Sequence, residues 1–356
     1  MSDTATAPVK VPPSEMPPVA GDRQVVAGPH IFGAPSARRI MLLVVAALAP
    51  AAIWSVICLG MPAVIVYLAC VAASVGTEFA WNAIARRPQT IMDGSALLTG
   101  ILLAMCMPPM TPWWICMVAG VVAIALAKMT FGGLGFNLFN PALVGRSVAL
   151  LSWLGVMGEL KPYSGGWLVA LPDLPAVGKF DAISGATRLF IAAADRAAGG
   201  AYDFDLAAQY NALLFKNLSG SVGEVSAALL IAGGLFLIAV RIVDWRIPLG
   251  YIGTVGALSW AFGSDPIFNV LAGGVVLGAF FMATDYVTSP ITKNGRLVFG
   301  VGCGLFNMVT RFFGPMPEST TFSILFMNGL APLIDRMFMP KPFGWVRPAK
   351  AVKADA

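Results

Sequence analysis

In a mostly apolar chain, the residues able to do chemistry fall into a few short stretches. The first is DAISGAT, residues 181–187, in the middle of one long polar interruption. Gly185 lets the backbone bend where a side chain would obstruct approach, and Asp181 and Ser184 can hold the turn by side-chain to backbone hydrogen bonds. Ala186 then leads to Thr187, whose hydroxyl such a turn would expose to a modifying enzyme; the plain alternative is an ordinary Ser/Gly turn. The second stretch is GGLGFNLFNP, residues 132–141. Its glycines allow close backbone approach, Asn137 and Asn140 supply donors and acceptors, and Phe136 and Phe139 could stack on a planar ring. A cofactor or ion site is one reading. The other is a tight turn that caps the next helix, with Asn140 at the N-cap and Pro141 in its first turn.

Charges inside apolar segments are costly, which makes each a site candidate. Glu78 is the deepest acid, within VGTEFAWNAI, and either snorkels towards Arg86 and Arg87 or pairs with Lys128 or Arg146. A cation pathway through Glu78 is the functional alternative. Asp93 is placed to cap a short helix that follows it. Thr284 and Asp285 precede a basic loop, where a partner contact or an ion pair with Lys293 or Arg296 is expected. His30, the single histidine, lies in a segment read as resting on a surface.

The elements that hold these residues follow from composition. With 58% hydrophobic and 12% charged residues, the chain carries more apolar surface than one soluble core can hide. Several windows reach the roughly 20 apolar residues needed to span a bilayer, and no period-two runs suggest a membrane barrel. The expected fold is an all-α polytopic membrane protein with about ten transmembrane helices. The spans read as 40–60, 62–84, 95–109, 112–130 and 141–157, then 222–241, 247–262, 266–284, 297–313 and 319–338. The third, fifth and ninth are short and interrupted by Pro or Gly, as broken or tilted helices would be. The glycines of AGGVVLGAF read as close helix packing rather than a phosphate loop. Five cysteines, all in apolar stretches without a CxxC pair, read as small core residues, the alternative being ligands of a cluster shared with a neighbour.

The formal charge of +5 sits in short loops beside the spans, an orientation signal rather than a nucleic-acid surface. It places both termini in the cytoplasm and the 158–221 loop outside. The organisation is then a cytoplasmic tail 1–38, a first membrane half 39–157, a periplasmic loop 158–221 carrying Thr187, a second half 222–338 and a basic tail 339–356. Five spans on each side of the loop imply two halves in opposite orientation.

GPHI and RRIM, DGSALLTG, GGLGFNLFNPALVG, DAISGAT and ATDYVT with NGRL together resemble the family of the RnfD subunit of Rnf ion-translocating electron transport complexes and of its relative, the B subunit of sodium-translocating NADH:quinone reductases. Leu138 and Tyr286 stand where the family form has proline. The resemblance implies a bacterial inner-membrane subunit that passes electrons between ferredoxin and NAD while sodium ions or protons move. FMN would be joined through its phosphate to Thr187 by a flavin transferase, with Asp181, Ser184, Gly185 and Ala186 around the attachment. A noncovalent riboflavin or other flavin inside the bundle is the further implication, with Asn137, Asn140, Phe136, Phe139 and Glu78 as candidates for that site or an ion site. The implied partners are RnfA, RnfB, RnfC, RnfE and RnfG, the last with its own covalent flavin, together with membrane lipid. Two rivals stay open: a passive small-solute channel of the urea-channel type without flavin, and a scaffold that only holds other subunits.

Overall fold

The computed structural model describes residues 36–158, 206–217, 220–314 and 319–339, and every regular element among them is helical. Helix α1, Ala37–Leu59, starts at Ser36, whose hydroxyl accepts the Arg39 N–H, and stops at Gly60 in a positive-φ conformation. Pro62 stands in the first turn of α2, Met61–Ile84, where a missing N–H costs nothing. At 23 and 24 residues these helices are about 35 Å long, enough for a hydrocarbon core of about 30 Å. Then come α3, Ser95–Cys106, α4, Trp113–Ile124, α5, Pro141–Ser152, and a short α6, Leu154–Gly158. The later part holds α7, Leu206–Phe215, α8, Ala227–Ala239, α9, Arg246–Ala261, α10, Pro266–Leu271, α11, Val275–Leu277, α12, Lys293–Phe313, and α13, Thr320–Phe338.

Around an apolar core, burial differs from that of a soluble protein in two respects. Ile53, Leu68, Leu126, Leu151, Leu235 and Trp260 are each more than half exposed, while Ser55, Ser74, Glu78, Ser259, Asn307 and Ser323 are fully buried. Apolar side chains outside and polar ones inside suit a bundle solvated by lipid, where polar groups must find partners within the protein. All five cysteines are buried, as the sequence suggests.

With no hydrophobic drive between helices in lipid, packing depends on close approach of small residues. The second helix of each set packs on the third and fourth, and the fourth on the fifth: α2 on α3 and α4, α4 on α5; α9 on α10 and α12, α12 on α13. Contacts of α1 with α8 and of α5 with α13 join the sets. Gly300 and Gly304 of α12 lie against α9, where a Cβ at Gly304 would stand 2.7 Å from Thr254 Cβ and 2.8 Å from the Tyr251 carbonyl oxygen. No larger residue fits without separating the helices.

The third and fifth spans are short, 12 residues each, as the sequence suggests, and the fifth breaks at Trp153, but the ninth differs. The expected ninth span is one unbroken 21-residue helix, α12, capped by the Thr292 hydroxyl. The eighth is broken instead: α10 ends at Leu271, Gly273 and Gly274 take left-handed backbone, and α11 restarts after them. A Gly-Gly pair at φ of 71° and 69° sets a sharp break, whereas glycines spread through α12 keep helical dihedrals and serve packing. Two π-helical turns, Ala125–Met129 at the end of α4 and Gly278–Met282 after α11, lead into the two loops the sequence marks.

Candidate functional site

Asp181, Ser184, Gly185, Ala186 and Thr187 lie outside the described residues. The candidate geometry is therefore that of the bundle, at the end where α1 begins. Wider turns displace side chains relative to the α-helical register, a frequent feature of functional sites. In the first π turn the displaced residue is Lys128, which is buried. Its Nζ donates to Glu78 Oε2 at 2.7 Å and to Ser95 Oγ at 2.6 Å. Glu78, fully buried on α2, takes a further hydrogen bond from the Thr90 hydroxyl, which in turn accepts from Asn82. The Ser95 hydroxyl donates to Asp93 Oδ1, and the same oxygen accepts the Ser95 N–H at 2.7 Å. Asp93 thus caps α3 through its side chain, with Gly94 at the cap position. Glu78 does not snorkel. Lys128 is its partner, and Arg146 instead donates to Thr321 Oγ1 of α13 at 3.1 Å.

Lys128 and Ser95 form one wall of a recess of ≈ 90 Å³, open on one side and smaller than the usual small-molecule site. Thr99, Asn137, Asn140, Thr284 and Asp285 add polar groups, and Phe280, Phe281 and Tyr286 add rings. Asn140 has both roles the sequence allows: Oδ1 caps α5 by accepting the Ala142 N–H, and Nδ2 donates to the Met282 carbonyl at 3.2 Å, tying the two π-turn regions together. Its own N–H reaches the Asn328 side-chain oxygen at 3.2 Å once that amide is oriented to satisfy both its ends. Asn137 is buried with Nδ2 on the Phe139 carbonyl.

The aromatic expectation fails at particular residues. Phe136 is 71% exposed, Phe139 packs near Gly329, and neither lines the cavity. Glu78 stands behind Lys128 rather than on the wall. The left-handed glycines 132, 133 and 135 turn the Phe136 segment outwards. Phe280 and Phe281 take the place of those rings. The sequence signal for them was weak, because FF in an apolar run looks like any core pair.

Asp285 also departs from expectation. It accepts from the Val287 N–H and the Thr288 hydroxyl and forms no ion pair among the described residues. Burial pushes its carboxyl above the usual carboxylate range, more than those two donors lower it. Arg296 goes instead to Asp244 Oδ2 at 3.0 Å, beside Arg246 at 3.1 Å. Desolvation alone would raise Asp244, yet the Arg246 N–H and the two guanidinium groups hold it below its usual value. Tyr286 closes the gap between these groups and the cavity by donating its hydroxyl to the Ile242 carbonyl.

On the far side of Met282 and Cys106 lies a smaller recess lined by Arg146, Ser221, Glu224, Gly273, Gly274, Thr320 and Thr321. Glu224 accepts from the Ser221 hydroxyl at 2.8 Å. A buried chain continues from Thr320 through Asn307 and the Tyr251 hydroxyl to Ser323. Sequence reasoning missed Glu224, because it lies at the edge of the polar interruption with no motif around it.

Residues 24–344 match the model of the NQR2, RnfD, RnfE family. The chain is 39% identical over 327 residues to the D subunit of the proton-translocating ferredoxin:NAD(+) oxidoreductase complex of Clostridium ljungdahlii, covering 90% of this chain and 96% of the relative. It is 38% identical to the D subunit of the Na(+)-translocating ferredoxin:NAD(+) oxidoreductase complex of Acetobacterium woodii, covering 93% and 98%. It is 40% identical to the D subunit of the ion-translocating oxidoreductase complex of Stutzerimonas stutzeri, covering 87% and 92%.

Proposed function

The chain belongs to the NQR2, RnfD, RnfE family, and from that premise we propose that it is the RnfD-type membrane subunit of an ion-translocating ferredoxin:NAD(+) oxidoreductase complex. It acts as part of a redox-driven translocase rather than as an enzyme by itself. The observation that carries this reading is near full-length similarity to the corresponding subunits of such complexes, together with DAISGAT at residues 181–187. Two relatives of almost equal identity are named for different ions, so identity alone leaves the ion as a proton or Na(+). The other Rnf subunits, a flavin transferase and the bacterial inner membrane complete the setting. Within it the chain makes ten passes in two inverted sets of five, with both termini cytoplasmic. The repeated order of helix contacts and the basic residues at the end where α1 begins support that topology.

Thr187 carries FMN as a phosphoester on the outer side. The purified complex should hold a fluorescent band on a denaturing gel, and Thr187→Val should abolish it; an unmodified intact mass from cells that possess the transferase would overturn the assignment. A noncovalent flavin at this end of the bundle is the further part of the proposal, but the recess as it stands, ≈ 90 Å³, is too small for its ring system. The lining has the matching chemistry, with the Asn137 and Asn140 amides and the Ser95 and Thr284 hydroxyls for a polar edge and Phe280, Phe281 and Tyr286 for ring faces, but the site must widen to admit the group. When bound, flavins supply one- and two-electron transfer. The chain's own contribution is to hold Asn140 between α5 and the Met282 carbonyl and to exclude water with Leu98, Leu102 and Val44. Flavin released on denaturation, beyond the covalent part, should fall in Asn137→Ala and Asn140→Ala; unchanged content would remove these residues from the site.

Coupling is energetically accessible. Moving one charge against about 150 mV costs roughly 3.5 kcal/mol, which a potential drop of about 75 mV per electron pair supplies. Glu78 is the acid offered to the ion, with Lys128 holding its charge until a cation competes. Glu78→Gln should reduce ion transport more than electron transfer; equal ratios in variant and parent would make Glu78 structural.

A further inference from the structure

A second recess lies beside the cavity, behind Tyr286, lined by Arg241, Asp244, Trp245, Arg246, Ser289 and Arg296 among others. Three guanidinium groups face one carboxylate, so the lining carries a formal +3 − 1 = +2. Asp244 holds Arg246 and Arg296 in place at 3.1 and 3.0 Å, and Arg296 Nε is fixed on the Pro290 carbonyl. Arg246 also lies over the Trp245 ring at 5.1 Å, which narrows its motion. The Arg241 side chain is exposed and makes no hydrogen bond or ion pair among the described residues. It is held at the recess by a left-handed backbone, φ 61°, that glycine or asparagine usually takes. Ser289 and Thr284 add neutral hydroxyls. Excess fixed positive charge with forked donors is the chemistry that recognises a phosphate oxyanion.

The surroundings choose the source of that phosphate. Trp245 just before α9, Leu249 on α9 and Leu297 and Val301 on α12 are large, exposed and apolar, and the last three lie on the helices that lead away from the recess. We propose that this recess binds the phosphate of an anionic phospholipid, with Arg241, Arg246 and Arg296 on the headgroup and the acyl chains along the α9–α12 surface. The assignment is independent of which ion or flavin the complex uses. A basic pocket between membrane helices at the positive end of a bundle is where such headgroups gather.

The test uses the intact complex, washed in mild detergent, with bound lipid quantified by mass spectrometry. The parent should retain phosphatidylglycerol or cardiolipin above its share in the membrane. Arg241→Gln, which breaks no side-chain contact among the described residues, should lower that retention about fivefold, the loss expected for one basic contact, and Arg241→Lys should restore part of it. Lys293→Gln, an exposed basic residue at the same end and outside the recess, should leave it unchanged. Stability is then compared in nanodiscs of phosphatidylcholine alone, with phosphatidylglycerol, or with millimolar inorganic phosphate. Stabilisation of the parent by phosphatidylglycerol but not by phosphate, lost in Arg241→Gln, supports the lipid; stabilisation by free phosphate alone supports the anion site and overturns the lipid. Equal lipid retention in parent and Arg241→Gln, or no anionic lipid in the washed parent, overturns the proposal.

Discussion

Replacing Lys128 by Met strands a carboxylate in the middle of the bundle. Glu78 is fully buried, its Oε2 lies 2.7 Å from Lys128 Nζ, and its remaining donor is one threonine hydroxyl. Opposite unit charges at that separation attract by about 6 kcal/mol at an effective dielectric constant near 20. Desolvation of both ions cancels most of this, so the pair as a whole contributes little, whereas deleting one partner costs about 3–5 kcal/mol. At about 2 °C per kcal/mol for a long chain, Lys128→Met should lower the melting temperature of the detergent-solubilised complex by roughly 6–10 °C. Glu78→Gln should do similar harm, since it leaves the ammonium unpaired next to Ser95. The double variant Glu78→Gln/Lys128→Met removes both charges and keeps a neutral amide in reach of the Thr90 hydroxyl, and it should recover at least half of the loss. A Lys128→Met protein that melts within about 1 °C of the parent, or a double variant that falls by the sum of the singles, would refute the buried-pair reasoning.

Other perturbations have equally definite outcomes. Gly300→Leu would drive a side chain into the Ile247 carbonyl of α9 and should cost about 1–3 kcal/mol, read as a lowered melting temperature with α9–α12 separation. Asn140→Ala removes the α5 cap and the bond to Met282 and should cost about 0.5–2 kcal/mol from the cap alone. The two loop carboxylates should respond to pH with opposite sign. Asp244 is lowered, so its contribution is present above the unfolded value of about 3.9 and lost as pH falls through its native value; the melting gap between parent and Asp244→Asn should close in acid. Asp285 is raised, so its contribution is full below about 3.9 and lost as pH rises through its native value; Asp285→Asn should gain on the parent with increasing pH.

Much of this molecule was legible in order along the chain. Apolar density required a helical membrane bundle, and the helix starts after Asp93 and at Asn140–Pro141 follow from a side-chain oxygen meeting an N–H two residues on. Those contacts are local, so sequence alone determines them. Which charge meets which was decided only by packing: Lys128 is 50 residues from Glu78, Arg146 turned to Thr321 across the bundle, and Arg296 chose Asp244 over Asp285. The ring faces moved for the same reason, with Phe280 and Phe281 turned into the cavity and Phe136 left outside. In lipid both faces of a helix can be apolar, so periodicity does not tell the inner face from the outer one. Close approach at Gly300 and Gly304 and the two wider turns rotate each helix to its final facing, and those contacts exist only once the neighbours are in place.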